Sequence, residues 1–343
     1  MKRIITPIVA GLLLSGCVVH VSGNAHDDLV QQTQTLSLPA HKLSRIAIDN
    51  NAGNIVVKGV KSATSISLTA NIFTTSDRSY TLSLDKQGDA AKLIAKHDAK
   101  IKVFWYTEHS PKIDIEVTVP EHFLVNVQDD SGHISISNVE AVTIDDNSGH
   151  IELTKIRGQI EIDDDSGSIS ISNVLGNIRI EDQSGDIAID SGKSVEIEDD
   201  SGDITLHNIL GAIQLKDGSG KIEIRGGKSV KIEDNSGDIT LSDVVGAITV
   251  NDGSGEIEIN GGLSVDLNDD SGDIRVANIA GDVNIIDGSG DISVARTQGQ
   301  VVIEDDSGDI EVRDAHQLDI KEDGAGEVKI SNVKQVHNIN SNG

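Results

Sequence analysis

The sequence predicts an all-β chain whose body is a parallel β-solenoid of about twelve short coils. Three observations point there. The first is a recurring phrase, Asp-x-Ser-Gly, with its serine at 131, 148, 166, 184, 201, 219, 236, 254, 271, 289 and 307. A twelfth copy carries alanine, at Asp323-Gly324-Ala325-Gly326. The second is its spacing. Successive copies lie 17 or 18 residues apart, which means one supersecondary unit stacked on itself. The third is the filling. Apolar residues fall at every second position between copies, while aromatics are 2% of the chain, Gly 34 residues and Pro only 4. That mixture suits a narrow, repetitive core.

One unit shows the plan. After Ser201-Gly202 comes Asp203-Ile204-Thr205-Leu206-His207, then a corner at Asn208-Ile209-Leu210-Gly211, then Ala212-Ile213-Gln214-Leu215-Lys216, then Asp217-Gly218-Ser219-Gly220. Middle corners alternate between an Asn-x-x-Gly type (Asn173, Asn208, Asn278) and a Gly-Gly or Ser-Gly type (Ser191-Gly192, Gly226-Gly227, Gly261-Gly262). The Asp or Asn side chain bonds backbone N–H groups ahead of it, and the fourth-position Gly accepts a positive φ. An antiparallel meander fits the same phrases, but it leaves over twenty strands with one uncovered apolar face. The solenoid buries those positions between two facing strands per coil. At ~4.8 Å per coil it makes a rod of roughly 55–60 Å.

The elements follow in order. Residues 1–17 read as a lipoprotein signal peptide: Lys2 and Arg3, the apolar run Ile4 to Leu14, then Leu14-Ser15-Gly16-Cys17, which resembles a bacterial lipobox. Cys17 is the lone cysteine, so an internal disulfide is excluded and lipidation at Cys17 is expected. The membrane is then a partner through that anchor. No Asp follows Cys17, so in a Gram-negative cell the resemblance implies the outer membrane. Residues 18–43 read as a flexible tether, polar and aperiodic through Gln31-Gln32-Thr33-Gln34-Thr35. Residues 44–128 read as a β-rich N-terminal cap over the first coil, needed because a solenoid end exposes unpaired strands. Within it, Arg45 to Val57 is a worn copy of the later unit. All six aromatics lie in this region: Phe73, Tyr80, Phe104, Trp105, Tyr106 and Phe123. Phe104-Trp105-Tyr106 reads as cap core, with a ligand platform as the alternative. Residues 129–334 are the repeat array and 335–343 a polar C-terminal tail.

Charge is uneven. Residues 1–128 carry 11 acidic and 13 basic side chains, whereas residues 129–343 carry 45 and 15. The array is the acidic object, which excludes nucleic acid as a partner and adsorption to an anionic membrane surface. It favours solubility and cation binding.

The sharpest chemical feature is the aspartate two residues before each serine: Asp129, Asp146, Asp164, Asp182, Asp199, Asp217, Asp234, Asp252, Asp269, Asp287, Asp305 and Asp323. In parallel stacking these carboxylates lie ~4.8 Å apart and repel. One reading has each Asp capping its own turn, with Ser hydroxyls and backbone N–H groups absorbing the charge. The other is a ladder of Ca²⁺ sites, since a hard cation takes several carboxylate oxygens. His133 and His150 both follow Ser-Gly on successive coils, so they stack and are candidates to share a transition metal. No catalytic residue is assigned. The array lacks an aromatic to stack a sugar, no acid pair stands apart from the repeat, and the extra residue at Ala295-Arg296-Thr297-Gln298-Gly299 reads as a small bulge.

On Ala52-Gly53-Asn54-Ile55, Val117-Thr118-Val119-Pro120 and the serial Ser-Gly-x-Ile phrases, the chain resembles the bacterial "putative-adhesin", β-strand-repeat domains of unknown function, over about Ile46 to Val333. The resemblance implies a β-solenoid exported to the cell envelope with no established activity. Three functions are expected in turn: an envelope-anchored structural or adhesin-like rod with an envelope or surface partner, a Ca²⁺-stiffened module, and a polysaccharide-acting enzyme.

Overall fold

The computed structural model describes residues 29–75, 79–97 and 110–341. Cys17, the signal segment and Phe104-Trp105-Tyr106 lie outside the described residues. The chain is all β, and its body is the expected parallel β-solenoid. Each coil contributes one strand to each of two faces. The first face stacks Leu124–Asp129, Ala141–Asp146, Ile160–Asp164, Ile178–Asp182 and so on to Val283–Asp287, every pair parallel. The second stacks Gly132–Ser137, Gly149–Thr154, Ile169–Ser172 and their successors in the same way. The last described coils run both faces into single long strands, Ile292–Asp305 and Ile310–Asp323.

Register is strict because the side-chain period is two. Ile151 lies beside Ile169, Ile169 beside Ile187 and Ile187 beside Ile204, all buried. The intervening residues face solvent. One continuous aliphatic core results, from Ala40 to Ile320. Burying each Ile or Val contributes roughly 1.5–3 kcal/mol, so stability accumulates along the stack rather than at any one coil.

The N-terminal end departs from chain order. Arg45–Asn50 and Ile55–Val60 form a complete coil stacked directly on Leu124–Asp129 and Gly132–Ser137. Ala90–His97 and Lys112–Pro120 form another coil on its far side. The chain therefore builds its second coil first, adds the outer one, then crosses back to start the array. Antiparallel strands finish the end: Tyr80–Gln87 on Ala90–His97, and Ser65–Thr75 on Lys112–Pro120. Phe123 is fully buried beneath this cap.

Two boundary expectations change. Leu29–Pro39, within the expected tether, is a strand paired antiparallel with Ser65–Thr75 along its whole length. Leu36 and Leu38 pack on the core, and the Tyr80 hydroxyl accepts hydrogen bonds from the Gln32 and Gln34 side chains. Exposed residues there alternate with more covered ones, Gln32 among the buried, so the run is a half-exposed edge strand. Gln335–Ser341, expected as a tail, pairs in parallel with Ile310–Asp323.

The corners explain the glycines, with one correction. At Asp-x-Ser-Gly corners the Gly has φ near +145°, as at Gly202 (φ 142). At Asn-x-x-Gly corners the positive φ belongs to the Asn (Asn173 and Asn208, φ 58 and 57), which tolerates the left-handed region. Gly176 and Gly211 at those corners are needed for closeness instead, since a Cβ there would sit 1.9 and 2.3 Å from a carbonyl oxygen of the previous coil.

We expect Gly202→Val to destabilise the rod by more than about 2 kcal/mol, because it meets both a strained φ and a backbone oxygen 1.9 Å from its Cβ. An unchanged urea midpoint contradicts the corner assignment.

Candidate functional site

The Asp-x-Ser-Gly corners align into a single edge of the rod. Every first-face strand alternates buried and exposed residues and ends on its aspartate, as in Ile160–Asp164 with Ile160, Ile162 and Asp164 buried. The aspartate thus shares the parity of the core residues and points inward. All twelve are buried, none more than 5% exposed. They also lie side by side: Asp146 beside Asp164, Asp164 beside Asp182, Asp182 beside Asp199, Asp199 beside Asp217.

Each carboxylate uses one oxygen for its own corner. From Asp146 to Asp305, Oδ1 accepts the backbone N–H of the serine two residues on, at 3.1–3.3 Å. That is the turn-capping role expected of it. The serine hydroxyls do not share it. Ser148, Ser166, Ser184 and Ser201 donate instead to backbone carbonyls of the preceding coil, at 3.2–3.3 Å, and so tie coil to coil. The second oxygen, Oδ2, is buried without a hydrogen-bond partner in every copy from Asp146 to Asp305.

Burial of this column raises the carboxyl groups of Asp129 to Asp305 above the ordinary carboxylate value. Asp129, Asp182, Asp269 and Asp305 are pushed up to about 6, and Asp146, Asp164, Asp199, Asp234 and Asp287 to about 7. Desolvation is the largest cause. The charge of neighbouring column aspartates adds to it at Asp146, Asp164 and Asp199, and the serine N–H bonds oppose it. Asp217 and Asp252 shift the same way.

Over part of the column, the exposed acids Asp163, Glu181, Glu198 and Asp200 and the column aspartates Asp164, Asp182, Asp199 and Asp217 together line a surface groove of about 420 Å³, with Lys216 as its one cation. A second groove, about 690 Å³, opens where the corner at Thr297 breaks register, lined by Arg296, Asp314, His316 and Lys334. The sequence showed the extra residue there but not the opening. His133 and His150 do stack, their rings 5.1 Å apart and 8° from parallel. The nearest acid, Glu152, is 3.9 Å from His133. Among the described residues no group of three or more His, Cys, Asp or Glu is set to hold a metal ion. The structure gathers the twelve aspartates into one buried column.

We expect Ser184→Ala to cost about 0.5–1.5 kcal/mol in urea melts, the worth of one inter-coil hydrogen bond. A loss beyond ~3 kcal/mol contradicts the view that this hydroxyl is one tie among many.

Three solved structures resemble the chain weakly. They are a "putative cell adhesion protein" from Clostridium sporogenes ATCC 15579 (9% identity, covering 89% of this chain and 99% of that one, TM-score 0.24), a "putative adhesin" from Bacteroides fragilis NCTC 9343 (12%, 90% and 97%, TM-score 0.26), and a "putative adhesin" from Parabacteroides merdae ATCC 43184 (11%, 93% and 100%, TM-score 0.24). No curated protein matches. The family model for Toastrack DUF4097 matches residues 43–242 and 210–342, and the chain belongs to that family.

Proposed function

We propose that the protein is a non-enzymatic lipoprotein of the cell envelope, an acidic β-solenoid rod that serves as a structural or adhesin-like interaction module. One observation carries this reading: the unbroken stack. Coil after coil repeats the same buried positions, so the sequence is spent on length and rigidity. The outward positions carry the function that remains. They mix acids with interspersed Lys and Arg that pair across coils, as Arg179 does with Glu196 and Lys216 with Glu198. Such exposed pairs contribute little stability, so their worth lies in presenting a patterned charged surface to a partner. The lipobox-like phrase Leu14-Ser15-Gly16-Cys17 supports the same reading, since several acyl chains on Cys17 would give stable anchoring. In a Gram-negative cell the sorting signal favours the outer membrane.

A second reading has one observation in its favour. The exposed carboxylates of Asp163, Glu181, Glu198 and Asp200 share a groove, where Ca²⁺ would relieve their repulsion and stiffen the rod. Asp164, Asp182, Asp199 and Asp217 of the column line the same groove.

Cells fed a clickable fatty acid should label the wild-type chain and leave Cys17→Ser unlabelled and released from membranes; label retained on Cys17→Ser contradicts the anchor. Photo-crosslinkers at exposed positions of one face in intact cells should trap a discrete partner. Melting in millimolar Ca²⁺ and in EDTA separates the two readings. The first expects coincident curves, and a calcium-dependent rise favours the second.

A further inference from the structure

The buried aspartate column holds one chemical problem that the fold leaves open. Each copy from Asp146 to Asp305 has an Oδ2 oxygen shielded from water with no donor aimed at it. A buried carboxylate in that state is costly, and a stack of them repels along its whole length. Repetition makes this a designed feature, because one unfavourable contact is tolerable where ten in a row are not.

The N-terminal coil shows a neutral side chain at the same position, although Asp129 beside it keeps both carboxylate oxygens without a partner. Asp49 pairs with Gln128, so the next residue, Asn50, occupies the column position directly beside Asp129. Asn50 is 1% exposed. Its Oδ1 accepts the N–H groups of Asn51 and Ala52, the same corner-capping role the aspartates play. Its Nδ2 donates to the carbonyls of Gly53 and Ile113, both at 3.4 Å. Here the column holds a neutral side chain with a donor where an aspartate has a bare Oδ2. An amide is the isostere of a protonated carboxyl. Stacked side-chain amides are known to bond along in-register strands, and a protonated carboxyl has one donor with which to do the same.

We propose that the aspartate column is a proton-binding ladder: its carboxyl groups are protonated in the folded rod, each O–H donating to an oxygen of a neighbouring coil's carboxyl, so that folding takes up protons. When a coil forms, a hydronium ion or buffer acid gives up a proton and an O–H bond forms at Oδ2; when the coil opens that bond breaks and the proton returns to solvent, with no change of oxidation state. The groups facing the column are themselves mostly acids. Asp145, Asp165, Asp200, Asp270 and Asp306 flank it at the corners, and Asp203, Asp238 and Asp291 reach it from the start of the second face. Lys216 lines the same groove as Asp164, Asp182, Asp199 and Asp217, but its ammonium pairs with Glu198 at 3.3 Å. Protons are therefore the charge-neutralising species the buried site itself can accommodate, and the carboxyl shifts described above run in the same direction.

The sign of the pH effect follows. These groups have folded values above the unfolded carboxylate value of about 4. Their contribution is fully present below that value and is lost as pH rises through the folded values, about 6 to 7. Stability should therefore fall between pH 5 and pH 8.

The test uses the full chain and two double variants. Asp164→Asn/Asp199→Asn replaces two column acids by the amide that Asn50 already supplies. Glu161→Gln/Glu258→Gln removes the same charge from exposed positions. The expected result has three parts. Infrared spectra at pH 6 show the carbonyl stretch of protonated carboxyl groups, which ordinary surface acids do not give at that pH. That band shrinks in the column variant and not in the surface variant. The urea midpoint of the wild type falls from pH 5 to pH 8, and the column variant flattens that fall more than the surface variant. Absence of the band at pH 6, or an equal effect from both variants, overturns the proposal. So does a midpoint at pH 8 that rises with added Ca²⁺ or Na⁺ in the wild type and not in the column variant, which would make the occupant a metal cation. If the column variant fails to fold, the infrared band and the pH dependence of the wild type still decide the matter.

Discussion

Contact between the backbones of successive coils at the Asp-x-Ser-Gly corner is the constraint from which the rest of the structure follows. At Gly149, Gly167 and Gly185, a Cβ would lie 1.5–1.7 Å from the carbonyl oxygen of the glycine one coil before. Nothing with a side chain fits there. The same glycines donate their N–H to the serine carbonyl of the next coil, as Gly149 does to Ser166 at 2.9 Å. This pins every coil to its neighbours at one point on the circumference. Register along both faces is then fixed, insertions are confined to the other corner, and core side chains must repeat in kind because each lies on its own copy.

The same constraint creates the molecule's electrostatic character. Strict stacking repeats whatever a coil carries, so one aspartate becomes a column and one exposed acid becomes a stripe. The two cases are resolved differently. On the surface, water, Arg179, Lys231 and Arg275 soften the repulsion through pairs such as Lys231 with Glu233. Along the buried edge no basic side chain bonds the column carboxylates from Asp146 to Asp305. From Asp146 to Asp305 the corner N–H satisfies one oxygen of the carboxylate and leaves the other.

Much of this was legible in the sequence. The 17- or 18-residue period and the two-residue alternation give the solenoid, its faces and its core. The aspartates were legible as a ladder of turn caps, but their burial was not read. Ile-x-Ile-x-Asp already carried the answer, since the alternation that buries Ile160 and Ile162 runs on into Asp164. The order of the first coils was not legible. That Ala90–His97 lies outside Arg45–Asn50 rests on pairings between segments about 45 residues apart, which no local pattern specifies. Leu29–Pro39 was missed for a related reason: its polar run is a strand only because Ser65–Thr75 offers it an edge.

Electron–electron distance measurement between spin labels at positions 161 and 266, with Cys17 replaced, tests the stacking most directly. Glu161 reaches Asp266 through six in-register pairings, Glu161 to Arg179 and onward through Glu196, Gln214, Lys231 and Thr249. Parallel coils predict a separation of about 29 Å, six spacings of ~4.8 Å. A separation near ~58 Å, the value for two antiparallel strands per repeat laid flat, would contradict the account.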